Sequence, residues 1–176
     1  MAKVPLYILI GRPGVGKSPF VRKFIDGRRC LIFDIQNEYG ERTKYDNQIP
    51  VGLSSDNSKP RSRFVGTDVD KFIDCANTKT KTVIVFEEAT AFFVGKTEKA
   101  LRRYIINRFH TGNISLFIFH SIQSVPPFIF DLCNYIVLFK TNDLFDNVRR
   151  KRPELVDAFQ KLKQLPDGEK IIVELM

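Results

Sequence analysis

The stretch that decides the fold is "GRPGVGKSPF", Gly11 to Phe20. Gly11 to Ser18 match the spacing G-x-x-x-x-G-K-[ST] in full. The apolar run "PLYILI" precedes it and the periodic run "PFVRKFIDG" follows it, so the spacing predicts a loop between a buried strand and a short helix. Glycines let the chain wrap so closely that successive backbone N–H groups point at one anion. The helix start adds its positive end. Gly11, Arg12, Pro13, Gly14, Val15, Gly16, Lys17, Ser18 and Pro19 are therefore candidate phosphate-binding residues of ATP, with Lys17 on the outer phosphates and Ser18 on Mg²⁺. Pro19 is a departure: it removes an N–H from the first helical turn. It should also push Ser18, the residue before it, away from helical geometry.

Working outward, "CLIFD", "TVIVFEE", "ISLFIFH", "YIVLF" and "EKIIVEL" read as further strands. "DVDKFIDCAN", "TEKALRRYIINRFHTG" and "VPPFIFDLC" read as helices, and the span from Asp143 to Leu165 as mostly helical with a break near Pro153. In the long helix, Leu101, Tyr104, Ile105 and Phe109 form one apolar stripe and Gly112 a stop. The polar stretch from Ile35 to Arg63 has no clear period and reads as a surface excursion. Strands alternating with helices predict an α/β layered domain spanning 1–176, its central sheet mostly parallel and flanked by helices.

Two more stretches carry chemistry. Glu87 and Glu88 follow four apolar residues at a strand end. After a phosphate loop, such a pair reads as a metal-side acid, Glu87, and a base for the attacking water, Glu88. In "FHSIQSVPP", His120 ends the next strand, where a polar side chain can touch the γ-phosphate or its water.

In this order the three sites resemble the FtsK–HerA group of P-loop ATPases, with an ASCE/RecA-like sheet. The likeness is strongest with small viral genome-packaging ATPases and covers roughly Tyr7 to Lys140. "DIQNEYG" is similar to the D-x-x-x-E-Y of HerA-type proteins, and "NRFHTGNISLFIFHS…VPP" to their R-x-x-x-x-x-I-…-Q-S-…-P segment. In that match His120 takes the place of a sensor Gln, and Arg108 that of an arginine before the fourth strand. The resemblance implies ATP hydrolysis with Mg²⁺, a pentameric or hexameric homo-oligomer, double-stranded DNA in a central channel, and capsid or membrane proteins as partners. It further implies Arg108, or else Arg103, acting on a neighbour's ATP, and a place in the host cytoplasm or in the virion. Glu for Asp at 87, His for Gln at 120, and Pro19 depart from the pattern.

Composition agrees with a polyanion partner. The 176 residues carry 28 Lys and Arg against 20 Asp and Glu, a net charge of +8; charge for solubility alone is the other reading. "RRKR", Arg149 to Arg152, is the densest basic run, either a DNA contact or a solvated helix end. Cys30, Cys75 and Cys133 are odd in number and far apart, which favours buried thiols in a reducing compartment over bridges. No signal-peptide pattern opens the chain, and the longest apolar region is interrupted by Pro126, Pro127, Asp131 and Asn134, too short to span a bilayer. Two other functions remain open on sequence: a small nucleotide or nucleoside kinase using 36–63 as a lid, and a nucleotide-gated binding module such as a Zot-like phage assembly protein.

Overall fold

The computed structural model describes residues 4–36, 39, 47–49, 61–93 and 95–175. Strand β1 (Leu6–Ile10) leads through the glycine loop into helix α1 (Lys17–Ile25). Then follow β2 (Cys30–Phe33), β3 (Asn47–Ile49), β4 (Arg61–Phe64), α2 (Val69–Asn77), β5 (Val83–Phe86), α3 (Gly95–Thr111) and β6 (Ile114–Phe119). The chain continues through α4 (Pro127–Leu132), β7 (Tyr135–Leu138), α5 (Phe145–Lys151), α6 (Val156–Gln164) and β8 (Ile171–Glu174). A short 3-10 turn at Pro153–Leu155 separates α5 from α6, at the break the proline predicts.

The strands form one sheet in the order β3-β4-β2-β5-β6-β1-β7-β8. All neighbours run parallel except β8, which pairs antiparallel with β7. The apolar runs have no polar alternation because both faces are covered. On β5, Ile84 and Phe86 point into one core and Val83 and Val85 into the other. The first core receives α2 to α6 and holds a chain of aromatic contacts. Phe33 lies 4.8 Å from Phe72, Phe72 lies 5.0 Å from Phe86, and the Phe86 and Phe117 rings stack at 4.5 Å. Many of the phenylalanines therefore serve packing; truncating one such as Phe117 to Ala should cost about 3–5 kcal/mol. The second core lies under α1, which supplies Val21 and Ile25.

Two sequence expectations are corrected here. The stretch from Ile35 to Arg63 is not all excursion: Asn47–Ile49 and Arg61–Phe64 are parallel strands at the sheet edge, and its remaining residues other than Ile35, Gln36 and Tyr39 lie outside the described residues. The polar alternation hid β4 because Arg63 is buried against Asp34, with Nη1 3.0 Å from Oδ2, while Phe64 enters the core. Phe109 is 56% exposed and does not join the stripe of Leu101, Tyr104 and Ile105. Its ring lies instead beside the Arg108 guanidinium, 4.2 Å away.

The strand order places β1 between β6 and β7, so β1 and β2 are separated by β6 and β5. The chain leaving β1 therefore parts from its neighbours at the carboxyl ends of the strands. That is where an open parallel sheet offers a crevice.

Candidate nucleotide site

The glycine loop occupies this crevice. Gly11 N–H donates to Phe119 O at 3.1 Å and Arg12 N–H to Lys140 O at 2.9 Å, which stitches the loop to the ends of β6 and β7. A Cβ on Gly11 would stand 2.6 Å from Phe139 Cβ, so only glycine permits this approach. Gly14 and Gly16 have φ of 78° and 97°, values that turn the loop back on itself. The Lys17 ammonium spans the curve, 2.7 Å from Gly11 O and 2.9 Å from Arg12 O. Gly16 caps α1 without a side-chain hydrogen bond, and the first turn contains no acid, so the positive helix end faces the loop. Pro19 is exposed and Phe20 N–H still reaches Gly16 O at 3.1 Å. Ser18 lies within α1, so the expected displacement from helical geometry does not occur.

The two acids leave β5 in different directions. The Tyr39 hydroxyl donates to Glu87 Oε1. Tyr39 is held in turn: its N–H reaches Asp34 Oδ2 at 3.0 Å, and the Arg22 guanidinium from α1 lies 4.7 Å from its ring centre. Asp34 and Arg63 form a buried ion pair, so Arg63, Asp34, Tyr39 and Glu87 make one connected network. In the sequence Asp34 and Tyr39 stand out only as part of the "DIQNEYG" match after the second strand, which carries no role for either. Glu38, the other residue of that match, lies outside the described residues.

Glu88 adopts φ 51°, a left-handed conformation that costs a non-glycine residue of order 1–3 kcal/mol. Its carboxylate meets His120 Nε2 at 2.7 and 2.8 Å. The pairing follows from the sheet, since β5 and β6 are neighbours with Phe86 opposite Phe117. His120 Nδ1 is buried and has no hydrogen-bond partner among the described residues.

Arg108 is not brought to this site. It is 1% exposed, near the end of α3. The next strand, β6, starts beside the start of β1, with Leu6 opposite Ser115. Arg108 thus lies at the edge of the sheet opposite the glycine loop. Its Nη1 donates to Ile105 O at 2.6 Å and its Nη2 to Leu132 O at 3.2 Å. Burial lowers its pKa from the usual guanidinium value, against the opposing influence of Tyr104. Arg103 is exposed on α3. In the basic run, Arg149, Arg150 and Lys151 are exposed, while Arg152 stacks on Phe130 at 3.7 Å.

The turn before β8, at Asp167 and Gly168, leans on the loop. Asp167 pairs with Arg12 at 3.0 Å and with Lys140 at 3.2 Å. The Lys140 hydrogen bond, then the Arg12 charge, hold its carboxyl below the usual range. A hollow of about 560 Å³ opens beside the start of α1, lined by Pro19, Phe20, Phe24, Phe139, Gly168 and Lys170 among others. It has the size and aromatic character of a small-molecule pocket.

The Ser18 hydroxyl and the Glu87 carboxylate are hard oxygen donors, the set that suits Mg²⁺ shared with a phosphate chain. Among the described residues no group of three or more His, Cys, Asp or Glu could hold a metal by itself. No helix among them is long and apolar enough to cross a membrane.

The chain thus has the fold of a P-loop NTPase, with a mostly parallel sheet flanked by helices. No protein-family model and no curated protein sequence matches it. Solved structures do. The genome packaging NTPase B204 of Sulfolobus turreted icosahedral virus 2, in complex with AMPPCP, matches with a TM-score of 0.80 and 19% identity over 97% of this chain and 92% of that one. Its ATPγS complex matches at 0.78 and 17% over 99% and 93%. ATPases 2 and 3 of EssC from Geobacillus thermodenitrificans match at 0.55 and 11%, over 98% of this chain and 38% of that one. These neighbours agree in fold with the FtsK–HerA-like packaging ATPases that the motifs resemble.

Proposed function

We propose that this protein is an ATPase of the FtsK–HerA type that drives DNA into a viral capsid, working as a homo-oligomeric ring around the duplex. The observation that carries the reading is the convergence of the glycine loop, Glu87, Glu88 and His120 at one end of the sheet. The near end-to-end fold likeness to B204 supports it.

In this reading the backbone from Gly11 to Pro19 and the Lys17 ammonium bind the phosphates. Ser18 and Glu87 hold Mg²⁺, which when bound neutralises charge on the phosphate chain. Glu88 accepts the proton of the attacking water. His120 holds the Glu88 carboxylate, and Tyr39 orients Glu87. The aromatic hollow receives the base. Arg108 has no part in the chemistry, which leaves Arg103 as the arginine proposed to act on a neighbour. Ring formation and DNA binding rest on the resemblance and the net charge of +8. So does a site of action in the host cytoplasm or the virion.

The test is ATP hydrolysis with and without duplex DNA, alongside native mass measurement with an ATP analogue. Turnover stimulated by DNA and a pentamer or hexamer are expected. Hydrolysis indifferent to DNA in a protein that stays monomeric overturns the motor.

A further inference from the structure

A second hollow, of about 190 Å³, opens on the other side of Arg12. Its lining is Arg12, Lys140, Thr141, Phe159, Leu162 and Lys163. Phe159 and Leu162 belong to the core on the α2–α6 face of the sheet, whereas Phe20, Phe24 and Phe139 of the larger hollow belong to the α1 face. The two hollows therefore lie on opposite faces of the sheet, and the glycine loop runs between them. The Asp167 turn reaches both: its carboxylate is on Arg12 and Lys140, and its Gly168 lines the larger hollow.

The geometry points to the smaller hollow as a binding site for a backbone phosphate of duplex DNA, with Asp167 occupying the cations in its absence. This rests on the DNA-motor reading and gives it a specific contact. Three cations and one hydroxyl surround a space too small for a whole nucleotide, below the roughly 300 Å³ at which small-molecule pockets begin. It admits one anionic group on a chain. Phe159 and Leu162 give it an apolar floor, which suits the carbon edge of a deoxyribose and does nothing for a free ion. Lys163 is arranged over Phe159 with Nζ 4.7 Å from the ring centre, so its charge is held at the rim. The Asp167 carboxylate already bonded to two of the cations shows that they accept oxygen anions.

The site is wired to the nucleotide loop. Arg12 O accepts from the Lys17 ammonium, and Arg12 N–H donates to Lys140 O. A phosphate that takes Arg12 and Lys140 from Asp167 frees the turn that leans on Gly16, where Gly168 Cα would be 3.8 Å from an added Cβ. DNA engagement and opening of the base hollow are thereby linked through one turn.

The experiment measures binding of a fluorescent 30-base-pair duplex across a salt series, and of a fluorescent ATP analogue without DNA, for wild type, Lys163→Ala, Lys140→Ala and Asp167→Asn. Lys163→Ala and Lys140→Ala should each weaken DNA severalfold and make the log–log salt slope shallower by about 0.9. Asp167→Asn should strengthen DNA binding. Lys163→Ala should leave affinity for the ATP analogue unchanged. Lys163 and Asp167 are exposed and Lys140 is half-buried, and thermal melts identify any variant that misfolds. DNA binding by wild type with the same affinity and slope in all three folded variants overturns this site and leaves the motor standing. Loss of nucleotide affinity in Lys163→Ala, with DNA unaffected, assigns the hollow to the nucleotide and also overturns the proposal. No DNA binding by the wild type removes both this site and the motor.

Discussion

His120 Nε2 contacts both carboxylate oxygens of Glu88, at 2.7 and 2.8 Å, across two neighbouring parallel strands. The acid reaches this partner from a left-handed backbone, φ 51°, that a glutamate does not adopt for its own sake. The sheet thus fixes which of the two acids faces the end of β6.

Glu88→Gln should abolish turnover and leave ATP bound. Loss of a general base lowers rate by roughly 10²–10⁴-fold. His120→Ala should lower kcat by a smaller factor, since it removes only the partner that positions the carboxylate. Steady-state hydrolysis and nucleotide binding check both. Normal hydrolysis by Glu88→Gln together with a dead Glu87→Gln would reverse the assignment of the pair.

Arg108→Ala should act on stability. The side chain is buried and donates to two backbone carbonyls, Ile105 O in the interior and Leu132 O nearer the surface. Hydrogen bonds made by a charged group contribute about 1.5–3 kcal/mol, so urea unfolding should show a loss of that order. Turnover per folded molecule should stay near wild type. A catalytically dead protein of unchanged stability would return Arg108 to the role on a neighbour's ATP.

The difference between what sequence revealed and what it concealed has a physical origin. β1, β2, β5, β6 and β7 are covered on both faces, so each is an uninterrupted apolar run, and the loop motif is contiguous. Local pattern suffices for both. β4 is legible only once Arg63 is known to meet Asp34, 29 positions earlier. Tyr39 matters because its hydroxyl meets Glu87 across 48 positions. Arg12 and Asp167 are 155 apart. Such pairings are properties of the folded sheet and leave no spacing to read. Arg108 shows another limit: the motif match implies an action on a neighbour's ATP, while the folded chain buries the side chain against Ile105 O and Leu132 O at the end of the sheet away from its own glycine loop.

Cys133 should resist alkylation in the native protein. Burial pushes its thiol up to about 12. At pH 8.5, iodoacetamide followed by mass analysis should leave Cys133 unmodified until urea is added, while half-buried Cys75 reacts earlier. The linkage has a definite sign. The unfolded chain releases this proton from about pH 8.5, whereas the folded chain keeps it to about 12. The contribution is therefore complete below pH 8.5 and is lost as pH rises through that window. The urea midpoint should fall between pH 8 and pH 10.5, and by less in Cys133→Ala.

Pro19→Thr should tighten ATP–Mg²⁺. The helix does not need the missing N–H, because Pro19 lies in the first turn of α1, where N–H groups have no partner within the helix. Nor does the proline disturb Ser18, which stays helical. What is missing is one donor toward the phosphates at the mouth of the larger hollow that Pro19 lines. A hydrogen bond to a charged group contributes about 1.5–3 kcal/mol, which is roughly a ten- to hundredfold change in the dissociation constant. Calorimetry on the two proteins measures it, and unchanged melting curves confirm that the fold is the same. Equal affinity would mean that the remaining loop donors already satisfy the phosphates. Absence of binding by either protein would remove ATP from the reading altogether.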